Sequence, residues 1–166
     1  TIQNIRAITK IARQHDALVL SDCVQAFGKI PIYVHAWGID YASFSAHKLY
    51  GPKGGGALYV KQDSPFAPFM HGGHQEGGMR AGTESLHNIA GFGAACQDVN
   101  TLLAHTEQIR GLKRQFIQQF KEIAPDCVIN SPEADCLPNT ISVTFPNVSN
   151  AGLMAMLDYH GIAVSA

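Results

Sequence analysis

Lys48 is the residue around which the sequence could organise the most chemistry. It lies in the segment Ser45-Ala46-His47-Lys48-Leu49-Tyr50-Gly51, where an apolar stretch gives way to hydroxyl, imidazole and glycine groups. A lysine amine at such a point suits an imine with a carbonyl cofactor, and the hydroxyl of Ser45 and the imidazole of His47 are suited to hold a phosphate. Taken alone, the segment is equally consistent with a solvated surface lysine.

A second polar group follows another short apolar stretch, residues 17–21. Asp22 comes directly after it, and Gln25 follows three residues later. Because ligands of α/β sheets bind at the carboxyl ends of the strands, we expect Asp22 and Lys48 to share one edge. A carboxylate there would keep a pyridine nitrogen protonated, and the Gln25 amide could donate to the phenolic oxygen of the same ring. The alternative is that Asp22 only caps a helix.

The apolar spacing predicts the elements that must position these groups. Apolar residues recur at helical intervals between residues 4 and 15, and short apolar runs at residues 17–21, 39–45 and 57–60 predict strands. A tight turn is predicted at residues 51–56 because of its glycines. Near-continuous apolar strands between helices predict an α/β fold with a mainly parallel sheet that is covered on both faces.

The second half of the chain has a different pattern. Residues 84–123 predict a long helical region with a break near His105. Alternating residues at 127–129 and 139–145 then predict strands of a half-solvated sheet, followed by a helix at residues 151–159 that ends at Gly161. We therefore predict a large domain over residues 1–122 and the beginning of a small α+β domain over residues 123–166.

Composition excludes several classes of partner. The chain has 12 lysines and arginines against 13 aspartates and glutamates, a balance that predicts no direct nucleic-acid ligand. Hydrophobic residues make up 46% of the chain, enough for a core. No apolar run approaches the ~20 residues of a membrane span. We therefore expect no membrane partner.

The histidines and cysteines give little support for a metal site or a disulfide. His71 and His74 lie three residues apart in a glycine-rich segment without an obvious third ligand, so no metal is predicted. The four cysteines contain no Cys-x-x-Cys pair, and we expect each of them to be a buried, reduced thiol. Cys127 and Cys136 flank a predicted hairpin loop at residues 130–135, where a disulfide is conceivable but would be unusual in a reducing compartment.

Four segments together resemble a known family. They are residues 22–31 (DCVQAFGKIP), 43–48 (SFSAHK), 51–54 (GPKG) and 71–84 (HGGHQEGGMRAGTE). They resemble the pyridoxal-phosphate enzymes of the class V aminotransferase fold, and specifically the cysteine desulfurases of the NifS/IscS-like group. The glycine-rich segment that ends in Arg-x-Gly-Thr is the most specific of the four. The resemblance implies part of an aspartate aminotransferase-like large domain.

The same resemblance implies roles for individual residues. Lys48 would carry pyridoxal 5'-phosphate (PLP) as an imine and act as the catalytic base. Asp22 would pair with the ring nitrogen, Gln25 would contact the ring oxygen, and Ser45 and His47 would hold the phosphate.

Thr83 is implied to reach the cofactor of a partner subunit, which predicts a homodimer. The implied activity converts L-cysteine to L-alanine and leaves sulfur as an enzyme-bound persulfide. Sulfur-acceptor proteins or iron–sulfur scaffold proteins would receive it in the cytoplasm.

Two alternatives to this activity stay open at this point. One is a selenocysteine lyase or another class V aminotransferase, and the other is a non-catalytic scaffold that only binds partners.

The two ends of the chain resemble internal segments of the family. The first four residues resemble the continuation of an Asn-Glu-x-Gly-Thr segment, and residues 161–166 resemble the strand that leads into the catalytic loop. The resemblance therefore implies an internal fragment that lacks an N-terminal region. The cysteine nucleophile and the arginine that binds the substrate carboxylate are expected beyond residue 166. We expect the chain by itself to have no desulfurase turnover.

Overall fold

The computed structural model describes residues 1–131 and 134–166, and these contain both helices and strands. The α-helices and strands are α1 (Ile5–Gln14), β1 (Leu20–Asp22), α2 (Val34–Trp37), β2 (Tyr41–Ser45), β3 (Gly56–Val60), α3 (Leu86–Gln97), α4 (Val99–Ala104), α5 (Thr106–Ile123), β4 (Val128–Ile129), β5 (Val143–Thr144) and α6 (Asn150–Tyr159). Two short 3₁₀ helices, Ala46–Leu49 and Gln75–Gly78, follow β2 and β3. None of the helices in the described ranges has the length and apolar character that a membrane span requires.

Helix α1 forms where the sequence predicts it. Asn4 is its N-cap, and its side-chain oxygen accepts a hydrogen bond from the N–H of Ala7 at 3.1 Å. This bond satisfies one of the amide donors that a helix leaves unpaired at its N-terminus. Arg13 lies in the last turn.

The strands of the first half form one three-stranded sheet in the order β1-β2-β3. Strand β1 pairs with β2 in parallel, so that Asp22 lies opposite Ser43. Strand β2 pairs with β3 in antiparallel fashion, so that Ser45 lies opposite Gly56. The sheet is therefore mixed, where the sequence predicts a mainly parallel one, because the turn after the 3₁₀ helix Ala46–Leu49 returns the chain directly alongside β2.

The prediction that both faces of this sheet are covered is wrong for the described part of the chain. Leu20 on β1 is 67% exposed and Leu58 on β3 is 48% exposed. The core instead lies to one side, around Cys23, Ile39 and Ala42. Partly buried apolar side chains pack against these three: Ile5, Ile32, Val34, Trp37, Phe44 and Tyr59.

Asp40 joins several elements at the end of the sheet where β2 begins. Its side chain is 2% exposed, and Oδ1 accepts a hydrogen bond from the Arg13 guanidinium at 2.7 Å. Oδ2 accepts a bond from the N–H of Val19 at 2.8 Å, and the Lys61 ammonium lies 3.9 Å from Oδ1. The buried Asp40 carboxylate thus links α1 to the residue before β1 and to the residue after β3.

The chain divides into two compact units, Ile2–Gln108 and Ile109–Ala166, the latter with Thr1. This division falls within α5, whereas the sequence predicts a domain boundary after residue 122, which stays a prediction. The helical break near His105 is confirmed, and a second break at Asp98 separates α3 from α4. In the second unit β4 and β5 pair in antiparallel fashion, and the predicted strand at 139–145 is limited to Val143–Thr144.

The cysteines agree with the sequence prediction only in part. All four are free thiols; Cys23 and Cys136 are buried, as expected, but Cys96 is exposed and Cys127 is only half-buried. The predicted hairpin loop at residues 130–135 lies partly outside the described residues, and the segment that connects β4 to β5 extends over residues 130–142.

Candidate functional site

The carboxyl ends of β1 and β2 lie side by side and carry polar side chains. Asp22 is the last residue of β1 and is exposed. Its Oδ1 accepts hydrogen bonds from the N–H of Val24 at 2.9 Å and from the hydroxyl of Ser43 at 3.2 Å. Both of these bonds go to Oδ1, and within the described residues Oδ2 accepts none. No regular helix follows Asp22, because residues 24–29 form turns, although the bond from Val24 is of the kind that a cap accepts.

Ser45 and His47 form a hydrogen-bonded pair at the end of β2. The hydroxyl of Ser45 lies 2.7 Å from Nδ1 of His47. If Ser45 donates to Nδ1, the imidazole proton is on Nε2 and points away as a donor; if Nδ1 donates, the hydroxyl proton is left as the donor. In either tautomer the pair presents a donor beyond itself, which is what a phosphate oxygen requires.

Lys48 lies in the 3₁₀ helix Ala46–Leu49, directly after β2, and its side chain is exposed. The first residue of this helix, Ala46, is fully buried, and its N–H donates to the carbonyl of Gly55 at 3.0 Å. The last residue, Leu49, is also buried, at 2% exposure. The two buried residues fix the backbone and leave Lys48 at the surface of the sheet edge.

Gln25 and Thr83 occupy different places. Gln25 is exposed in the turns that follow Asp22. Thr83 is also exposed, and it lines a cavity of about 910 Å³ between β3, α3 and the glycine-rich segment. Asp22, Gln25, Ser45, His47 and Lys48 are not among the residues that line this cavity. Asp22, Ser45, His47 and Lys48 therefore lie at or directly after the carboxyl ends of β1 and β2, whereas Thr83 lies on the wall of the cavity.

The cavity that Thr83 lines is mostly apolar. Phe69, which lines it, is 96% exposed, and Cys96 lies on its wall. Its other end is formed by the glycine-rich segment, where the side-chain carbonyl of Gln75 accepts a hydrogen bond from the N–H of Gly82 at 3.1 Å. This bond ties the two ends of the segment together next to Thr83.

Sequence reasoning missed two residues of the strand edge, Ser43 and Lys29. Ser43 is in the quoted segment 43–48, and its position two residues before Ser45 places it on the same face of the strand. Lys29 donates a hydrogen bond from Nζ to the carbonyl of Lys48 at 2.9 Å. Burial, and secondarily the positive charge of Lys48, lower the pKa of Lys29. No local sequence signal predicts this contact across 19 residues.

Cys23 follows Asp22 directly but does not extend the site. Its side chain is buried in the core, and its thiol donates to the hydroxyl of Ser21 at 3.6 Å. Burial raises the pKa of the Cys23 thiol, with a smaller contribution in the same direction from the charge of Asp22. A buried thiol with a raised pKa is a poor nucleophile.

The residues of the strand edge fit PLP by their chemistry. The Asp22 carboxylate oxygen that accepts no bond within the described residues matches a protonated ring nitrogen, and the pair of Ser45 and His47 matches a phosphate. Lys48 follows them in the 3₁₀ helix directly after β2. Within the described ranges, no group of three or more histidine, cysteine, aspartate or glutamate side chains could hold a metal ion.

Comparisons with known proteins point in the same direction. A cysteine desulfurase IscS from Dictyoglomus turgidum is 38% identical over 166 residues, which cover 99% of this chain and 42% of that protein. A solved NifS-like protein superposes with a TM-score of 0.93 at 37% identity, covering 100% of this chain and 46% of its own. A solved SspA in complex with cysteine has a TM-score of 0.71 at 32% identity and covers 99% of this chain and 45% of its own.

The chain thus spans less than half the length of the relatives it matches. The match to the solved NifS-like protein confirms the predicted α/β class and the fold of PLP-dependent transferases. The family model for class V aminotransferases matches residues 1–166. The relatives and solved structures named above also match 99–100% of this chain. The chain therefore belongs to the class V aminotransferase family.

Proposed function

We propose that this chain is the lysine-bearing part of a PLP-dependent cysteine desulfurase. The observation that carries the proposal is the edge where β1 and β2 end, because Asp22 at one strand and Ser45, His47 and Lys48 after the other are adjacent. Ser43 connects the two strands by its hydrogen bond to Asp22. The similarity to cysteine desulfurases along the chain supports the same activity.

Each residue then has a defined task. Lys48 would hold PLP covalently through Nζ and would also move protons as the catalytic base. Asp22 would keep the ring nitrogen protonated, Gln25 would donate to the ring oxygen, and Ser45 with His47 would donate to the phosphate. PLP supplies an electron sink that stabilises negative charge next to the amino group of a bound amino acid.

We propose L-cysteine as the substrate. A solved relative in complex with cysteine supports this choice. In the overall reaction the carbon–sulfur bond of L-cysteine breaks, an enzyme thiol takes the sulfur as a persulfide, and the hydrogen of that thiol balances the product L-alanine. The thiol, with the arginine for the substrate carboxylate, is proposed to lie beyond residue 166.

The chain by itself is therefore proposed to lack turnover. Two of its own thiols, Cys23 and Cys136, are buried and unsuited to accept sulfur. Sulfide release from L-cysteine by the purified 166-residue chain would contradict this part of the proposal.

The longer protein is proposed to act in the cytoplasm as a homodimer and to pass sulfur to acceptor proteins or iron–sulfur scaffold proteins. Thr83 is proposed to reach the cofactor of the second subunit, as the family resemblance implies, and its exposed side chain is accessible for that role. Sedimentation of the longer protein with and without Thr83→Ala, together with its affinity for PLP, tests this assignment. A monomer that binds PLP normally would contradict it.

The decisive experiment on the site is to add PLP to the chain, reduce it with borohydride and map the labelled peptide by mass spectrometry. We expect Lys48 to carry most of the label. Exposed lysines elsewhere in the chain, such as Lys10 and Lys53, serve as internal controls. Equal labelling of all exposed lysines would contradict a selective PLP site.

A second experiment tests the reaction in the longer protein. Lys48→Ala removes both the covalent anchor and the catalytic base, so we expect turnover of L-cysteine to fall by about 10³-fold or more. Comparison of L-cysteine, L-selenocysteine and L-alanine as substrates separates a desulfurase from a selenocysteine lyase or an aminotransferase. Normal turnover in Lys48→Ala would exclude the role given to Lys48.

A further inference from the structure

Lys29 makes a contact that the cofactor roles above do not use. Its ammonium donates a hydrogen bond to the backbone carbonyl of Lys48 at 2.9 Å. The last carbonyls of a helix have no partner within the helix, and a lysine side chain can satisfy one of them while placing positive charge at the negative end of the peptide dipoles. Lys29 thus caps the C-terminal end of the 3₁₀ helix Ala46–Leu49 from a different part of the chain.

The backbone around Lys29 is itself held against this helix. Gly28 has a φ of +74°, and a Cβ built on it would lie 2.2 Å from Cδ1 of Leu49, so the Leu49 side chain would have to move to admit a larger residue. On the other side, the hydroxyl of Thr106 donates to the carbonyl of Lys29 at 3.2 Å. Lys29 is therefore fixed between α5 and the 3₁₀ helix, and its ammonium is directed at one carbonyl.

We propose that Lys29 is a positioning residue for Lys48: by holding the Lys48 carbonyl, it fixes the backbone from which the Lys48 side chain reaches the cofactor site. The proposal rests on the proposed function for the identity of that site. The half-buried position of Lys29 supports it, because an ammonium that loses solvent needs a carbonyl partner. The lowered pKa of Lys29 agrees with this burial.

The test uses Lys29→Met, which keeps the length of the side chain and removes the donor and the charge. Lys29→Arg restores both, and Lys53→Met removes an exposed lysine from the adjacent turn as the control. The first readout is amide hydrogen exchange of Tyr50 and Gly51, whose N–H groups both donate to the carbonyl of Ala46. The second is the share of PLP label at Lys48 after borohydride reduction.

We expect Lys29→Met to speed exchange at these two amides by about tenfold, as the loss of a charged hydrogen bond at a partly exposed site implies. We expect the share of label at Lys48 to fall severalfold in the same variant. Lys29→Arg should restore both readouts, and Lys53→Met should change neither. Lys29→Leu, which also removes the donor and the charge, replaces Lys29→Met if the latter does not fold.

Two results would overturn the proposal. One is unchanged exchange and labelling in Lys29→Met, and the other is a Lys29→Arg variant that behaves like Lys29→Met. If the unaltered chain shows no preference for Lys48, the proposed function fails instead. Hydrogen exchange then decides by itself whether Lys29 holds the helix.

Discussion

The two ends of the three-stranded sheet each carry an aspartate, and these two residues differ in burial and in the hydrogen bonds that their oxygens accept. Asp40 is 2% exposed, and its two oxygens both accept hydrogen bonds, from Arg13 and from Val19. Asp22 is exposed and uses only Oδ1 within the described part of the chain. A carboxylate whose two oxygens both accept hydrogen bonds from the chain, as in Asp40, has a structural role. A carboxylate with one oxygen that accepts no such bond, as in Asp22, can bind a ligand.

The largest effect is expected from Asp40→Asn. An amide has one accepting oxygen, so either the N–H of the buried Val19 loses its acceptor, or the Arg13 guanidinium loses its contact with the buried side chain and keeps its bond to the carbonyl of Gly38. We expect the free energy of unfolding to fall by about 2–4 kcal/mol. Urea denaturation followed by circular dichroism measures it. A loss below about 0.5 kcal/mol, the range of ordinary surface substitutions, would show that Asp40 is not a structural link.

Acid should remove the same stabilisation. Burial alone would raise the pKa of Asp40, but the bonds from Arg13 and Val19 and the charges of Arg13 and Lys61 outweigh it, and the pKa lies below its ordinary value. A lowered carboxyl pKa stabilises the fold above the unfolded-state pKa of about 3.9, and the stabilisation is lost as the pH falls through the folded-state pKa. The difference in unfolding free energy between the unaltered chain and Asp40→Asn should therefore be full at pH 7 and shrink below about pH 4. A difference that stays constant from pH 7 to pH 3 would contradict the ionic role.

Alanine substitutions at two glycines compare a steric clash with backbone strain alone. Gly28 and Gly38 have similar φ values of +74° and +71°, but an added Cβ would meet Leu49 at 2.2 Å in the first case and nothing within 4 Å in the second. Gly38→Ala should cost about 1 kcal/mol from backbone strain alone. Gly28→Ala should cost about 1–3 kcal/mol more, because the buried Leu49 must move. Equal losses in thermal or urea denaturation would indicate that the contact between Gly28 and Leu49 is not tight.

The smallest effect on stability is expected from Asp22→Asn. The amide oxygen of asparagine can accept both bonds that Oδ1 of Asp22 now accepts, from Val24 and Ser43. The free energy of unfolding should change by less than about 0.5 kcal/mol, as at other exposed sites. A loss near that of Asp40→Asn would mean that Asp22 is also part of the structural framework.

The sequence predicts where the candidate residues lie in the fold better than it predicts the sheet. Asp22, Ser45, His47 and Lys48 lie at strand ends, and short apolar runs bounded by polar residues make strand ends visible in a sequence. The predicted strands at 17–21 and 39–45 nevertheless begin before β1 and β2, because an apolar run does not show where regular strand pairing begins. Val19, for example, is buried but precedes β1.

Contacts between distant segments could not be predicted. The bonds from Arg13 to Asp40 and from Lys29 to Lys48 join residues 27 and 19 positions apart, and long charged side chains carry no sequence signal of their partner. Lys113 shows the same limit in the second unit. It is 7% exposed and donates to the carbonyl of Leu137 at 3.1 Å, although the helical pattern of α5 places lysines on the solvated face.

The most direct test of the account is to make the same change, aspartate to asparagine, at positions 22 and 40 and to measure both unfolding and PLP labelling of Lys48 in each variant. We expect Asp22→Asn to keep the stability of the unaltered chain and lose the preference for Lys48, because its amide directs a donor at the ring nitrogen. Asp40→Asn should lose stability but, at temperatures where it is folded, keep that preference. A labelling preference that survives in Asp22→Asn and is lost in folded Asp40→Asn would contradict the assignment of the two ends.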